Sequence, residues 1–135
     1  MKAKLFILIL VASAVFACER NNADRGMFSF DREEEFALYE SYYSADHQLS
    51  FSVDSIHDSR CPRGVYCIWQ GQADVFLTVK TFKTYHLVLD SNKNIRDTIQ
   101  NYEFQLVDVL PYPDLSSPSS PDDRYAIIKV SYLNN

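Results

Sequence analysis

Glycine is scarce in this sequence, with only three in 135 residues. Phosphate-binding loops depend on several glycines, because the backbone must turn sharply and approach the ligand closely. Neither a Walker nor a Rossmann glycine motif occurs, and the G-x-S-x-G and H-E-x-x-H motifs are also missing. The chain therefore carries no motif typical of nucleotide binding, serine hydrolysis or zinc-dependent proteolysis.

Basic residues are also few, since 13 Lys and Arg stand against 18 Asp and Glu. No basic cluster occurs along the chain, and the formal net charge is −5. A nucleic-acid-binding surface needs a basic face, so we expect no nucleic-acid partner. Adsorption to anionic lipid by charge alone is disfavoured for the same reason.

Candidate catalytic side chains are not grouped in the sequence. His47, His57 and His86 are far apart, and none lies in a nucleophile motif. The one acidic run, Glu33 to Glu35, is typical of a solvated face. We therefore expect a non-enzymatic protein without a cofactor. A small periplasmic or surface hydrolase is the alternative, because two distant carboxylates can meet in the folded chain.

A long apolar run occurs only at the N-terminus. Met1–Lys4 is basic, Leu5–Phe16 is apolar, and the run is shorter than the roughly 20 residues that span a bilayer. This order is typical of a secretory signal, and Val15-Phe16-Ala17-Cys18 resembles the bacterial lipobox. We predict that residues 1–17 are a lipoprotein signal peptide and that Cys18 carries lipid. An ordinary cleaved signal and an uncleaved anchor are the two alternatives.

The cysteine count agrees with this prediction. Three cysteines are an odd number, and acylation of Cys18 leaves Cys61 and Cys67 to pair outside the cytoplasm. We expect an exported protein, anchored to the membrane by lipid at the outer membrane or the periplasmic face. Residues 18–30 would form a flexible tether and residues 31–135 a globular domain. The oligomeric state stays open.

Alternating apolar and polar residues dominate the rest of the chain. The alternation predicts strands over Gln48–Ile56, Ala73–Lys80, Tyr85–Leu89, Tyr102–Leu106 and Ala126–Tyr132. Asp31–Tyr43 fits a helix or a strand, and we favour a strand because every later element is one. These elements predict an all-β fold, a single antiparallel β-sandwich or open barrel of about six or seven strands.

Broken parity and prolines mark two details of these strands. Ile56 lies out of step with the apolar residues before it, which predicts a bulge near Asp54 or Ser55. Pro111 and Pro113 should end the strand that begins at Tyr102.

The most distinctive segment contains the two remaining cysteines. A Cys61–Cys67 disulfide would close a ring of seven residues. Trp69 follows two residues later, and we expect it to cover the disulfide in the core, with Gly71 as a structural neighbour. The candidate binding residues of the loop are Arg60, Pro62, Arg63, Val65 and Tyr66.

This segment resembles a known group of proteins. Asp58-Ser59-Arg60-Cys61-Pro62, followed by Cys67-x-Trp69-x-Gly71-x-Ala73, is similar to the signature of small, largely uncharacterised lipoproteins of Bacteroidota-type bacteria. The position associated with Glu in that group is Gln72 here. The resemblance implies a lipoprotein with a compact domain and implies no mechanism.

Three interpretations of the loop stay open. It can be a structural staple, with Arg60 paired to Asp58 or to backbone carbonyls. It can be a rigid recognition loop for an envelope protein, including a protease to which Arg63 is offered as bait. It can also be a metal site of Cys61, Cys67, His57 and Asp58, although pairing of the cysteines would remove two ligands, so we assign no metal.

Overall fold

Eight strands form two antiparallel sheets in this computed structural model, which describes residues 26–134. The strands are β1 Glu33–Ala37, β2 Ser41–Tyr43, β3 Ser50–Asp58, β4 Ala73–Lys80, β5 Thr84–Asp90, β6 Arg96–Ile99, β7 Tyr102–Leu110 and β8 Tyr125–Tyr132. One sheet has the order β1-β8-β7-β6, and the other has the order β2-β3-β4-β5. The predicted antiparallel sandwich is confirmed, and the two sheets do not close into a barrel.

The strand count is higher than the predicted six or seven. The two extra strands, β2 and β6, have three and four residues, which is too short for a visible alternation. The segment Asp31–Tyr43 contains β1 and β2, so the strand interpretation of this segment is confirmed.

The core lies between the inner faces of the sheets. In β4, Val75, Leu77 and Val79 are buried while the residues between them are partly exposed, as a period of two requires. The rings of Phe51 and Phe104 meet edge to face across the two sheets, with centroids 5.4 Å apart. Such aromatic pairs contribute about 0.5–1.5 kcal/mol beyond the area they bury.

The N-terminal segment belongs to the domain earlier than predicted. Phe28 is only 3% exposed, and its ring lies 5.3 Å from that of Phe51 and 5.4 Å from that of Phe30. The prediction of a flexible tether through residue 30 is therefore wrong for residues 26–30. Phe28 and Phe30 follow a polar segment and are too few to establish an alternating pattern that would reveal this packing.

The predicted signal peptide 1–17, the lipidated Cys18 and the tether up to residue 25 lie outside the described residues. Within residues 26–134, no helix is long and apolar enough to cross a membrane.

Both sheets contain a bulge. The β3–β4 register shifts between Val53 and Ser55, which confirms the predicted bulge. A second shift, between Leu106 and Asp108 in the β7–β8 pair, leaves Val107 exposed. Strand β7 ends at Leu110, directly before Pro111, as the prolines predict.

The sandwich has two ends, which we name by their contents. The loop end carries the β3–β4 connection 59–72, the β5–β6 turn 91–95 and the β7–β8 connection 111–124. The N-terminal end carries the turns 44–49, 81–83 and 100–101. Gly26 accepts a backbone hydrogen bond from Tyr43, which pairs with the first residue of β3, so the described chain starts near the N-terminal end.

Candidate functional site

The β3–β4 connection begins as a narrow neck. The Ser59 N–H donates to the Gln72 carbonyl at 2.8 Å, and the Gln72 N–H donates to Ser59 Oγ at 3.2 Å. One step further, the Cys61 N–H donates to the Gln70 carbonyl at 2.8 Å. The two arms of the connection therefore stay together beyond the edge of the sheet.

Gly71 makes this neck possible. Its φ is +69°, and a Cβ added there would lie 1.8 Å from the Ser59 carbonyl oxygen. Only glycine fits both the left-handed backbone and the close approach of the opposite arm. Its predicted structural place beside the loop agrees with this geometry.

A disulfide closes the connection above the neck. Cys61 and Cys67 are bonded, with Cα atoms 5.9 Å apart, as the cysteine count predicts. The bond uses both thiolates that the metal hypothesis requires. Among residues 26–134, no group of three or more His, Cys, Asp or Glu side chains is arranged to hold a metal ion.

Arg60 fixes the neck to the opposite sheet. Its Nε donates to Asp58 Oδ1 at 2.9 Å, and its Nη2 donates to Asp58 Oδ2 at 2.7 Å. The same guanidinium donates to the Val109 carbonyl at 2.6 Å and to Asp108 Oδ1 at 3.0 Å. The predicted pairing of Arg60 with Asp58 and with a backbone carbonyl is therefore confirmed, and the carbonyl belongs to β7.

The electrostatics of this network keep Arg60 charged. Burial of the guanidinium opposes its charge, but the hydrogen bond and the negative charge of Asp58, with a smaller contribution from Asp108, raise the pKa of Arg60 above its ordinary value. The side chain of Arg60 is 9% exposed and that of Asp58 is fully buried. Arg60 is therefore a supporting residue, and its guanidinium, engaged with Asp58 and β7, offers little surface to the partner that the sequence analysis proposed for it.

Tyr112 joins the loop to the β7–β8 connection. Its ring lies 4.4 Å from Arg60 Cζ and 5.2 Å from Arg63 Cζ, within the range of cation–π attraction. Its hydroxyl donates to the Cys61 carbonyl at 3.2 Å, and the Arg63 N–H donates to the Pro113 carbonyl at 3.0 Å. The β7–β8 connection thereby supports the first arm of the loop, residues 60–63.

Trp69 does not lie in the core. Its side chain is 69% exposed, so the prediction that it covers the disulfide from within the core is wrong. The physical reason is the neck, which carries residues 61–70 past the last paired residues of β3 and β4, Asp58 and Ala73. The core beneath is already filled by residues of the two sheets.

The tip of the loop presents apolar side chains to solvent. Tyr66 and Ile68 are fully exposed, and Val65 is exposed as well. Arg63 is exposed and Pro62 is half-buried. Of the predicted contact residues, Arg63, Val65 and Tyr66 are accessible, whereas sequence reasoning missed Ile68.

A groove of about 370 Å³ lies beside the tip. Its lining joins Arg63, Val65 and Leu115. Leu115 lies in the segment Pro111–Asp123, which the sequence offers as a second candidate contact region or a solvated connector, although Leu115 itself was not singled out. The only signal for it was one apolar side chain in an otherwise polar segment rich in Ser, Pro and Asp. Hydrogen bonds from Ser116, helped by the charge of Arg63, lower the pKa of Asp114 in the same groove.

A second polar cluster lies on the flat outer face of the β3–β4–β5 sheet. Thr78 Oγ1 donates to Asp54 Oδ2 at 2.6 Å and lies 3.2 Å from His86 Nδ1. The single hydroxyl proton of Thr78 is directed to Asp54, so a hydrogen bond with His86 requires the ring tautomer that carries its proton on Nδ1. The parity of the strands could have predicted this cross-strand row.

The other two histidines are elsewhere. His57 packs against Phe76 on the outer sheet face, and His47 stacks on Tyr43 near the N-terminal end. The three rings are not brought together into one site.

No protein-family model, curated protein or solved structure matches this chain.

Proposed function

We propose that this chain is a lipid-anchored protein of the bacterial cell envelope, and that its disulfide-closed loop is a recognition surface for another envelope protein. The observation that carries the proposal is the exposure of Tyr66, Ile68 and Trp69 on a frame fixed by the disulfide and by Arg60. We define these three residues as the apolar tip.

Exposure of such side chains needs a reason. An isolated apolar side chain on a surface is common, but neighbouring ones mark interaction sites. Tyr, Trp and Arg are enriched among residues that carry most of the binding energy at protein interfaces. Tyr66, Trp69 and Arg63 therefore supply side chains suited to a protein partner.

The rigidity of the loop also favours binding. Ordering a flexible loop on binding costs free energy, and a loop that is already rigid avoids most of this cost. The disulfide, the Ser59–Gln72 hydrogen bonds and the Tyr112 contact restrict the loop before any partner arrives.

Export and lipid attachment are supported by the sequence. Residues 1–18 have the order of a lipoprotein signal, and the loop segment resembles that of small bacterial lipoproteins. A disulfide persists in the oxidising compartments that an exported protein enters. The acyl chains on Cys18 would supply the membrane anchor, at about 0.8 kcal/mol for each buried methylene.

The test uses the full-length protein in its native envelope. A photo-crosslinking residue in place of Tyr66 identifies the neighbouring protein, and the affinity of that purified protein is then measured. We expect Ile68→Ala and Trp69→Ala to weaken binding by roughly tenfold or more each. The matched control is Val88→Ala, which removes an exposed apolar side chain from the outer sheet face and should leave the affinity unchanged.

Two outcomes count against the proposal. If Ile68→Ala and Trp69→Ala bind the partner as tightly as the wild type, the loop is not the recognition surface. An intact mass that shows Cys18 without acyl chains would remove the lipid anchor.

A further inference from the structure

The N-terminal end carries a second set of exposed apolar side chains. Phe82, at the turn between β4 and β5, is 79% exposed, and Met27, Tyr132 and Leu133 are also exposed. This end is opposite the apolar tip. The nine residues of β3 separate the two ends by about 30 Å, at roughly 3.3 Å per residue.

The side chains that line the groove beside Phe82 are uncharged, and the Phe82 turn itself carries two lysines. A groove of about 620 Å³ separates Phe82 from Tyr132, and its lining contains no carboxylate; the other lining residues are Gln48, Thr81, Gln100, Asn101 and Tyr102. Lys83 Nζ lies 5.9 Å from the centroid of the Phe82 ring, and Lys80 is exposed at the end of β4.

The loop end has a different charge pattern. Asp114 and Arg63 line the groove beside Val65, and Asp90 and Lys93 line a second groove next to Trp69. Asp122 and Asp123 are exposed in the short 3-10 helix of the same end. The loop end therefore carries charges of both signs, whereas the turn Lys80-Thr81-Phe82-Lys83 carries basic charge alone. Anionic headgroups would attract this turn.

We infer that the N-terminal end rests on the lipid surface, with the Phe82 ring in the headgroup region and with Lys80 and Lys83 facing anionic headgroups. The inference rests on the proposed anchor at Cys18. Its consequence is an orientation: the apolar tip faces away from the membrane, toward a partner.

The position of the proposed anchor supports contact between the N-terminal end and the lipid surface. Gly26 pairs with Tyr43 near the N-terminal end, and residues 18–25 can span at most about 28 Å. The lipid on Cys18 would thus hold this end within reach of the membrane. Surface-bound segments bury Phe, Trp or Leu side chains at the headgroup boundary, and basic residues near the surface are attracted by anionic lipid. The acyl chains would retain the protein, while the Phe82 turn would set its orientation.

The chain contains one tryptophan, Trp69, so the natural protein already carries a fluorescent reporter at the loop end. The variant Trp69→Phe/Phe82→Trp moves this reporter to the N-terminal end. Both full-length lipidated proteins are reconstituted in vesicles of phosphatidylethanolamine and phosphatidylglycerol with brominated acyl chains. We expect quenching and a blue shift of the emission for the reporter at position 82, and neither for Trp69.

Quenching and intact mass also distinguish the ways in which the inference can fail. An unquenched reporter at position 82, or quenching of Trp69, overturns the orientation. Intact mass separates the two proposals, because acylated Cys18 without quenching at position 82 contradicts the orientation alone. Unacylated Cys18 contradicts the anchor and the orientation together. If Phe82→Trp fails to fold, Tyr132→Trp in the Trp69→Phe background provides the second reporter at the same end.

Discussion

Arg60 and Asp58 form a bidentate ion pair at the base of the loop, with nitrogen–oxygen distances of 2.9 and 2.7 Å. The same guanidinium reaches the Val109 carbonyl of the other sheet. One side chain thus connects the neck of the loop to both layers of the sandwich.

Loss of Arg60 should strongly destabilise the domain. Arg60→Met would leave the buried Asp58 carboxylate without its cation, at a cost of about 3–5 kcal/mol. Asp108→Asn is the matched control, because Asp108 is 46% exposed and exposed ion pairs contribute about 0–1 kcal/mol. Urea unfolding measures both. Similar decreases in the free energy of unfolding for the two variants would show that the Arg60–Asp58 pair contributes no more than the exposed Arg60–Asp108 pair.

The two loop glycines should respond differently to alanine. Gly71→Ala would force a Cβ against the Ser59 carbonyl, so we expect a loss above about 3 kcal/mol, in the range of severe backbone and packing defects. Gly64 also has a positive φ, but its surroundings are open, and Gly64→Ala should cost only about 1–2 kcal/mol. Equal free energies of unfolding would show that the neck can open to accept the methyl group.

Removal of the disulfide should weaken the domain without dissolving the sheets. Closing a ring of seven residues restricts the unfolded chain by about 2 kcal/mol in the entropy model, so Cys61→Ser/Cys67→Ser should lower the free energy of unfolding by that amount. The Ser59–Gln72 and Arg60 contacts would remain. Far-UV circular dichroism should be unchanged, and a loss of the β spectrum would mean that the loop is required for the fold.

Trp69 should be dispensable for stability. It is exposed, so Trp69→Ala should change the free energy of unfolding by less than about 0.5 kcal/mol. Phe51→Ala, which empties a buried site, should cost about 3–5 kcal/mol. Thermal unfolding of the two variants provides the comparison. A large loss of stability for Trp69→Ala would show that Trp69 packs against the domain.

Asp90 should contribute a pH-dependent part of the stability. Partial burial acts to raise its pKa, but the backbone N–H groups of Lys93 and Asn92 outweigh burial and lower it. A lowered folded-state pKa adds stability that is complete above the ordinary aspartate value of about 3.9 and is lost as the pH falls through the folded value.

The matching variant is Asp90→Asn. It should have a lower Tm than the wild type at neutral pH, and the difference should shrink at pH values below about 4. A difference in Tm that stays constant down to acidic pH would exclude this titration as the cause.

The strands were predictable because their alternation is local. The parity change at Ile56 revealed the β3 bulge, and Pro111 marked the end of β7. The site was only partly predictable. Its disulfide follows from counting cysteines, whereas the partners of Arg60 on β7 lie 48 and 49 residues away and leave no local pattern.

Trp69 shows why closeness in sequence to a disulfide does not predict burial. A residue two positions after Cys67 can lie in the core or beyond the edge of the sheet. The hydrogen bonds of the neck hold Trp69 beyond the edge. That neck depends on Gly71 and on pairing across a separation of 13 residues, which alternation does not encode.

The burial of Phe28 has a mechanical consequence. Tension applied at residue 26 would act first on the two backbone hydrogen bonds that join Gly26 and Phe28 to Tyr43. Further extension would have to withdraw the Phe28 ring from its contacts with the rings of Phe36 and Phe51. A force applied at residue 26 is therefore resisted first by these two hydrogen bonds and then by the packing of Phe28 in the aromatic part of the core.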